Sequence, residues 1–408
     1  MKPTTLLVTT SRWVPTARLG MALAQAGFNV DVVCPSSHPI DRTSIVRHRY
    51  SYSGLFPAQA ISKAISASSP EILIPCDDLA TTHLHEIYAT EVGSPSVRNL
   101  IARSLGPPSS FGICRDRSAF IQMAASEGLR VPATSMLLDT GAFRNWIAAH
   151  DLPAVLKSNG STGGEGVRVA RTAEDGARAF DKLSAPPLLA RALKRALLDR
   201  DTTSIPPYIR GIRPGVCAQE FIVGREATSL IACHDGKILA ALHFEVLNKV
   251  HAAGPASVLR LIDNVDMSRA AEKIANRLAL SGLHGFDFML EGNTAHAYLI
   301  EMNPRATQVG HLMLGPGRDL PAALYAAVTG SPIQTADKAT DKNVIALFPG
   351  EWNRDPESHF LKSAYHDIPW SEPELIRFCL RKQDATAWSN QQKKQMQTLA
   401  SIESPSAE

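Results

Sequence analysis

The sequence predicts a protein of mixed α/β and α+β class with more than one domain. Its 408 residues exceed what one hydrophobic core usually organises, so two or three domains are expected. The N-terminal third alternates apolar strand patterns with helix patterns, which predicts a parallel sheet covered by helices. The remainder contains strand pairs joined by short polar turns, which predict antiparallel sheets.

The N-terminal third carries three strand patterns that end near polar residues. Its first turn, SRWVPT, has no glycine, so the G-x-G-x-x-G fingerprint of dinucleotide sites is missing from a Rossmann-like region. Asp77 and Asp78 follow the third strand at the edge where open α/β sheets bind ligands, but they would serve equally well as a helix N-cap pair. The strand patterns are TLLVTT (5–10), FNVDVVCP (28–35) and EILIPCDD (71–78).

Composition argues for a soluble cytoplasmic protein. Hydrophobic residues make up 44% and charged residues 20%, and the net charge of +3 gives no reason to expect a nucleic acid or a membrane as partner. No run of about 18 apolar residues occurs. The six cysteines form no C-x-x-C pair, which favours buried thiols in a reducing compartment.

The run LIEMNPR, residues 299–305, is an apolar strand pattern that ends in charged and amide groups. Strand alternation predicts Leu299, Glu301 and Asn303 on one face. In the preceding run, GFDFML, Asp287 faces away from the phenylalanines. Folding the two runs back through EGN places Asp287 within a residue or two of Glu301.

Two carboxylates and an amide oxygen on one face are costly to bring together unless a cation lies between them. Oxygen atoms of Asp, Glu and Asn are the ligands that Mg²⁺ prefers, with water and phosphate oxygens completing its octahedron. Arg305, just beyond the strand, is placed to reach a phosphate oxygen. The alternative is a half-buried hairpin with a solvated polar face, and these residues alone leave both interpretations open.

Two further segments suggest nucleotide contacts. Lys157 ends a strand and precedes a glycine-rich loop, whose N–H groups could approach a polyphosphate closely. In QEFIVGRE, backbone groups of residues 219–222 could line an adenine, and Glu226 could hold a ribose. The alternatives are an ordinary hairpin turn and an ordinary strand. The loop glycines are Gly160, Gly163, Gly164 and Gly166.

In this order the motifs resemble those of the ATP-grasp superfamily. The matching runs are DR at 116–117, LKSNGSTGGEGV, QEFIVGRE, GFDFM and IEMNPR, and they span about residues 70–315. The resemblance implies two subdomains that grip Mg-ATP. The implied division is a Rossmann-like pre-ATP-grasp domain at 1–110, an ATP-grasp domain at 111–330 with a lid at about 150–222, and a C-terminal extension at 331–408 with a polar tail from about 383.

The resemblance also implies a role for each site residue. Lys157 and the lid glycines Gly163, Gly164 and Gly166 would contact ATP, with Gln219, Glu220, Phe221 and Ile222 around the base and Glu226 on the ribose. Asp287, Glu301 and Asn303 would hold two Mg²⁺ (or Mn²⁺) ions, and Arg305 and Lys249 would be catalytic. Arg117 stands where the family usually has lysine, and its planar, forked guanidinium makes different contacts from the ammonium of a lysine.

The implied activity is that of an ADP-forming ligase. A carboxylate would be activated as an acylphosphate for attack by an amine, so small-molecule acids and amines are the expected partners, and a homodimer is left open. NPRATQVGH looks like the corresponding run of biotin carboxylases and the carbamoyl phosphate synthetase large subunit. The carboxylase base is replaced by Gly310, which disfavours a biotin carboxylase.

Three alternatives remain. The first two are carbamoyl-phosphate-type carboxyphosphate chemistry and phosphotransfer, both within the same superfamily. The third is a nucleotide-binding module without turnover, against which the complete set of acids and arginine argues.

Overall fold

The structure is a computed structural model that describes residues 2–90, 94–159, 166–185, 214–252, 254–334 and 336–381. Its strands are β1 (Thr4–Val8), β2 (Asn29–Cys34), β3 (Val46–Ser51), β4 (Ile72–Pro75), β5 (Thr134–Leu137), β6 (Ala154–Ser158), β7 (Val167–Ala170), β8 (Val216–Glu220), β9 (Gly224–His234), β10 (Lys237–Lys249), β11 (Ala256–Leu261), β12 (Gly282–Glu291), β13 (Ala297–Asn303), β14 (Val344–Ala346) and β15 (Tyr365–His366).

The α-helices of the described residues, numbered in the same way, surround these strands. They are α1 (Val14–Ala26), α2 (Pro57–Ser68), α3 (Asp78–Ala89), α4 (Pro95–Leu105), α5 (Phe111–Arg115), α6 (Arg117–Ser126), α7 (Thr140–Ala149), α8 (Ala173–Ser184), α9 (Val265–Leu278), α10 (Leu320–Thr329), α11 (Gly350–Arg354), α12 (Phe360–Ser363) and α13 (Pro373–Arg381). Gly163, Gly164 and the predicted polar tail lie outside the described residues.

The N-terminal sheet is parallel, in the order β3-β2-β1-β4, which confirms the predicted Rossmann-like arrangement. Helix α1 ends at Gly27, whose φ of 114° suits glycine. Asp77 caps α3 by accepting a hydrogen bond from the N–H of Ala80. The same carboxylate accepts from the N–H of Thr10 at 2.6 Å, so it also fixes the loop after β1.

A seven-stranded sheet forms the centre of the chain, in the order β13-β12-β9-β10-β11-β14-β15. The β9–β10 hairpin turns at Asp235 and Gly236, as the sequence predicts. Successive residues of β9 face opposite sides: Leu230 joins the core shared with α1, and Ile231 joins the core that includes α9. The C-terminal segment adds β14 and β15 to this sheet, so it packs as part of it.

Strands β12 and β13 form the predicted antiparallel hairpin, and Asp287 lies directly opposite Glu301. A β-bulge follows this pair, so Phe288 opposes Leu299 rather than Ile300. The prediction that Leu299 shares a face with Glu301 is therefore wrong. The extra residue reverses the alternation, so Leu299 packs in the α9 core while Glu301 stays on the opposite face.

A smaller antiparallel sheet has the order β5-β8-β6-β7. Helices α7 and α8 cover one face of it, where Phe143 and Leu156 are fully buried. Strand β8 ends at Glu220, so Phe221 and Ile222 follow the strand instead of belonging to it. All six cysteines are free and buried. Among the described residues, no helix is both long and apolar enough to cross a bilayer.

Candidate functional site

The predicted metal ligands converge on one face of the central sheet. Asp287 accepts hydrogen bonds from Thr228 Oγ1 and from Asn303 Nδ2, each at 2.9 Å, and Glu301 is its cross-strand partner. Burial raises the pKa of Asp287 to about 6, and the negative charge of Glu301 adds to the shift. The face thus holds two acids that repel each other unless a cation lies between them.

Arg305 joins this group from the residues just after β13. Its Nη2 donates to Asn303 Oδ1 at 3.2 Å, and its Nε lies 3.0 Å from Asp78 Oδ1. Burial disfavours the charged guanidinium, but the nearby carboxylates, Asp78 foremost among them, together raise the pKa of Arg305. Asp78 therefore reaches the site from the N-terminal sheet, which the sequence left open.

Two cations, Arg117 and Lys157, lie close to Glu301. Arg117, at the start of α6, places Nη2 at 2.6 Å and Nε at 3.2 Å from Glu301 Oε1. Its Nη1 donates to the carbonyl of Ser158 at 2.5 Å. Lys157 is buried beside it, opposite Cys217, and burial lowers its pKa although Glu301 acts in the other direction.

Lys249 and Glu226 contact each other, although their predicted roles were separate. Lys249 Nζ lies 2.6 Å from Glu226 Oε1. Glu226 is two residues before Thr228 in β9, so it lies on the same face as Asp287, whose carboxylate Thr228 contacts. The pair therefore lies on the sheet face that carries the acids.

The residues proposed to line a base differ in exposure. Gln219 is buried and donates to Thr134 Oγ1, whereas Glu220 is exposed and accepts from the N–H of Ala133. Phe221 and Ile222 are half-buried. The carbonyl of Gly166 accepts from the N–H of Ser158, so this glycine pairs the ends of β6 and β7.

A cleft of about 480 Å³ lies between the α5–α6 segment and the sheet edge. Its lining includes Asp78, Asp116, Arg117, Asn159 and Glu301. Arg117 and Glu301, which both line the cleft, carry opposite charges and contact each other at 2.6 Å. The cleft therefore suits a ligand that carries both phosphate oxygens and a bound cation.

The oxygen donors fit Mg²⁺. They are two carboxylates and one amide, which are hard ligands of the kind this ion takes, and they leave positions for water and phosphate. Within the described ranges there is no group of three His, Cys, Asp or Glu side chains able to hold a metal, so a three-donor site here would need the amide of Asn303, as the sequence predicts.

Two histidines that could have served as acid or base are held in structural contacts. His311 Nε2 lies 2.5 Å from Asp367 Oδ2, which also lies 3.3 Å from Arg18 Nη2. His284 Nε2 contacts the carbonyl of Ser281 at 2.7 Å. The contacts of Asp367 join helix α1, the segment after Arg305 and the C-terminal segment.

Gly310 lies in a turn that has no room to direct a side chain towards the cleft. A Cβ there would lie 3.2 Å from Leu230 Cδ2 and 3.3 Å from Leu19 Cδ1, which belong to the shared apolar core. Position 310 therefore points into the core, where a Cβ would press against two leucines rather than reach the cleft.

Residues 114–309 match a family described as ATP-grasp domain (ATP-grasp_3). This stretch contains Arg117, Lys157 and all three proposed metal ligands. The chain therefore contains an ATP-grasp domain, and the resemblance found in its motifs is confirmed. No curated protein sequence matches the chain.

Solved structures share the fold over most of the chain. The biotin carboxylase domain dimer of 2-oxoglutarate carboxylase from Hydrogenobacter thermophilus, in complex with MgADP, ADP and bicarbonate, has a TM-score of 0.59 at 15% identity and covers 82% of this chain and 72% of that one. Carboxyaminoimidazole ribonucleotide synthase from Aspergillus clavatus, complexed with ATP, has a TM-score of 0.59 at 13% identity and covers 82% and 78%.

N5-carboxyaminoimidazole ribonucleotide synthetase from Thermus thermophilus is similar at a TM-score of 0.57 and 14% identity, covering 81% of this chain and 80% of that chain. At such identities these likenesses show the fold alone.

Proposed function

We propose that the protein is an ATP-dependent ligase that activates a small carboxylate as an acylphosphate and transfers the acyl group to an amine, releasing ADP and phosphate. One observation carries the proposal: Asp287, Glu301, Asn303 and Arg305 share one sheet face, and Arg117 faces them, within an ATP-grasp domain. A binding module without turnover would have no use for this whole set. The likeness to proteins solved with ATP, ADP and MgADP supports a nucleotide in the cleft.

Asp287, Glu301 and Asn303 would hold Mg²⁺, which supplies charge neutralisation between the phosphate oxygens and the acids. Two ions remain our expectation. Lys157 and Arg117 would contact the phosphates, and residues 219–222 would line the base beside Glu226. Lys249 lies on the same face, bound to Glu226, so its approach to a phosphate would require that this pair separates.

In the first step, a carboxylate oxygen of the substrate would attack the γ-phosphorus and ADP would leave. In the second, the amine nitrogen would attack the acyl carbon, with loss of phosphate and a proton. Arg305 would stabilise the charge on the transferred phosphoryl group, held in place by Asn303 and Asp78. The chain's contribution is positioning and charge, since phosphoryl transfer requires little covalent chemistry from a protein.

The second candidate is a carboxyphosphate reaction, in which bicarbonate is the carboxylate. It is favoured by the structural likeness to a biotin carboxylase domain solved with bicarbonate. Position 310 offers no base for it, because a side chain there would enter the core. ADP release with bicarbonate as the sole acid would favour this candidate, whereas release that needs an organic acid would favour the ligase.

The proposal is tested by incubating the protein with ATP, Mg²⁺, hydroxylamine and pools of carboxylic acids labelled with oxygen-18. An acylphosphate gives a hydroxamate, equal amounts of ADP and phosphate, and one labelled oxygen in the phosphate. AMP and pyrophosphate would mean adenylation and would overturn the proposal. A catalytically dead Glu301→Gln variant is the control for contaminating ATPases.

We keep the division into a pre-ATP-grasp domain at 1–110, an ATP-grasp domain at 111–330 and an extension from 331. The lid, placed at about 150–222 from the sequence, is better begun at β5, because β5 and α7 share the core of the small sheet. A cytoplasmic location, small-molecule substrates and a homodimer belong to the same proposal. One similar structure is a domain dimer.

A further inference from the structure

The contact between Arg117 and Glu301 joins a predicted phosphate-binding group to a predicted metal ligand. Two N–H groups of Arg117 converge on Oε1 of Glu301, at 2.6 and 3.2 Å, and a third donates to the carbonyl of Ser158. Both side chains are largely buried, with 14% and 20% of their surfaces exposed. The guanidinium thus links the hairpin of the central sheet to β6 of the small sheet.

Oε1 of Glu301, one of the two oxygens through which this residue would bind a metal ion, already contacts a positive charge. A cation can take Glu301 Oε1 only if both N–H contacts are given up, and the buried guanidinium would then lose its carboxylate. Arg117 therefore needs another anion before it can release Glu301.

The rest of the site is held in a similar way. Asn303 Oδ1, the amide oxygen that would bind a metal, accepts from Arg305. Asp287 accepts from Thr228 and Asn303. Each of the three predicted ligands thus already accepts a hydrogen bond from within the protein, and Mg²⁺ in particular gives up its own water reluctantly.

We propose that Arg117 is the resident counter-ion of Glu301, so that a divalent cation enters the site only together with a nucleotide, whose phosphate oxygens accept the guanidinium in place of Glu301. Metal and nucleotide then strengthen each other's binding by the same factor, as linkage requires. Arginine suits this exchange because its planar fork makes the same two-point contact to a carboxylate and to a phosphate. The inference rests on the proposed function in taking Glu301 as a metal ligand.

The test measures metal binding and needs no turnover. Free Mn²⁺ is followed by electron paramagnetic resonance while the full chain is titrated, with and without ADP. Variants are Arg117→Gln, Arg117→Lys and the double variant Arg117→Gln/Glu301→Gln. The matched control is Arg130→Gln, which breaks an ion pair of 2.8 Å with Asp266 outside this cleft. Circular dichroism monitors folding.

We expect the wild-type protein and Arg130→Gln to bind Mn²⁺ much more weakly without ADP than with it. Arg117→Gln should bind Mn²⁺ alone about 10-fold more tightly and lose most of the enhancement by ADP. The double variant should lose this gain. In Arg117→Lys the affinity for Mn²⁺ without ADP should also rise, but by less than in Arg117→Gln. If Arg117→Gln folds poorly, the lysine variant is used for the test in its place.

Tight Mn²⁺ binding by the wild-type protein without nucleotide would overturn the inference. So would an unchanged Mn²⁺ affinity in the Arg117 variants, or a gain that survives in the double variant. Failure of the proposed function is a separate result. If the protein shows the predicted coupling of metal and nucleotide binding but never releases ADP, the counter-ion role of Arg117 stands and the proposed ligase activity is wrong.

Discussion

Replacing Glu301 with glutamine removes one charge from the site while keeping the shape of the side chain. The amide oxygen can still accept from Arg117, so the two contacts at 2.6 and 3.2 Å persist as neutral-acceptor hydrogen bonds. Removing the whole partner of a buried ion costs about 3–5 kcal/mol. Because the acceptor remains, we expect a loss of about 1–2 kcal/mol in the free energy of unfolding, or a fall of roughly 3–6 °C in Tm.

The effect on turnover should be much larger. A neutral amide is a weaker ligand for Mg²⁺ and leaves the phosphoryl charge less compensated. We expect ADP release to fall by about 100-fold or more, equal to about 2.7 kcal/mol of transition-state stabilisation. The comparison needs ADP release, measured with saturating MgATP, and thermal unfolding on the same samples.

Glu291→Gln is the matched control, because it makes the same chemical change at the far end of the same hairpin, where Glu291 accepts from Thr294. It should leave ADP release unchanged. Equal ADP release by wild type and Glu301→Gln would refute the metal assignment. Equal losses in both variants would show that the hairpin, rather than the charge at 301, was disturbed.

Three other predictions follow from the structure. Burial would raise the pKa of Glu351, but hydrogen bonds from an arginine and two serines hold it at about 2, below its ordinary 4.5. Its carboxylate therefore contributes up to about 3 kcal/mol to the free energy of unfolding above pH 5, and this contribution is lost as the pH falls towards 2. When unfolding by urea is measured over this range, the free energy of unfolding of Glu351→Gln should fall less steeply with decreasing pH than that of the wild-type protein. Gly176→Ala would place Cβ 1.8 Å from Phe143 Cε1, so we expect the small sheet to lose about 1–3 kcal/mol, read by limited proteolysis; an unaltered cleavage rate would contradict this. Thr228→Val removes a hydroxyl that donates to Asp287, so the Kd for MgADP by calorimetry should rise about 5-fold, and an equal Kd would discount this contact.

The sequence by itself determined the order of elements and the chemistry available to them. Local patterns were sufficient for this: apolar alternation and the turn at Asp235 and Gly236 predicted the hairpins, and the pairing of Asp287 with Glu301 followed from the short EGN connection. Register in a short hairpin is set by the turn and by the buried face, and both are determined by residues close together in the sequence.

Tertiary structure decided which groups meet across the chain. The bulge that moves Leu299 into the core depends on packing against α9, and no local signal marks it. The contact of Asp78 with Arg305 joins residues 227 positions apart, and that of Arg117 with Glu301 joins residues 184 apart. Long-range partners depend on how whole sheets pack, so the sequence supplied the charges, and only the packing of the N-terminal, central and small sheets assigned them to one another.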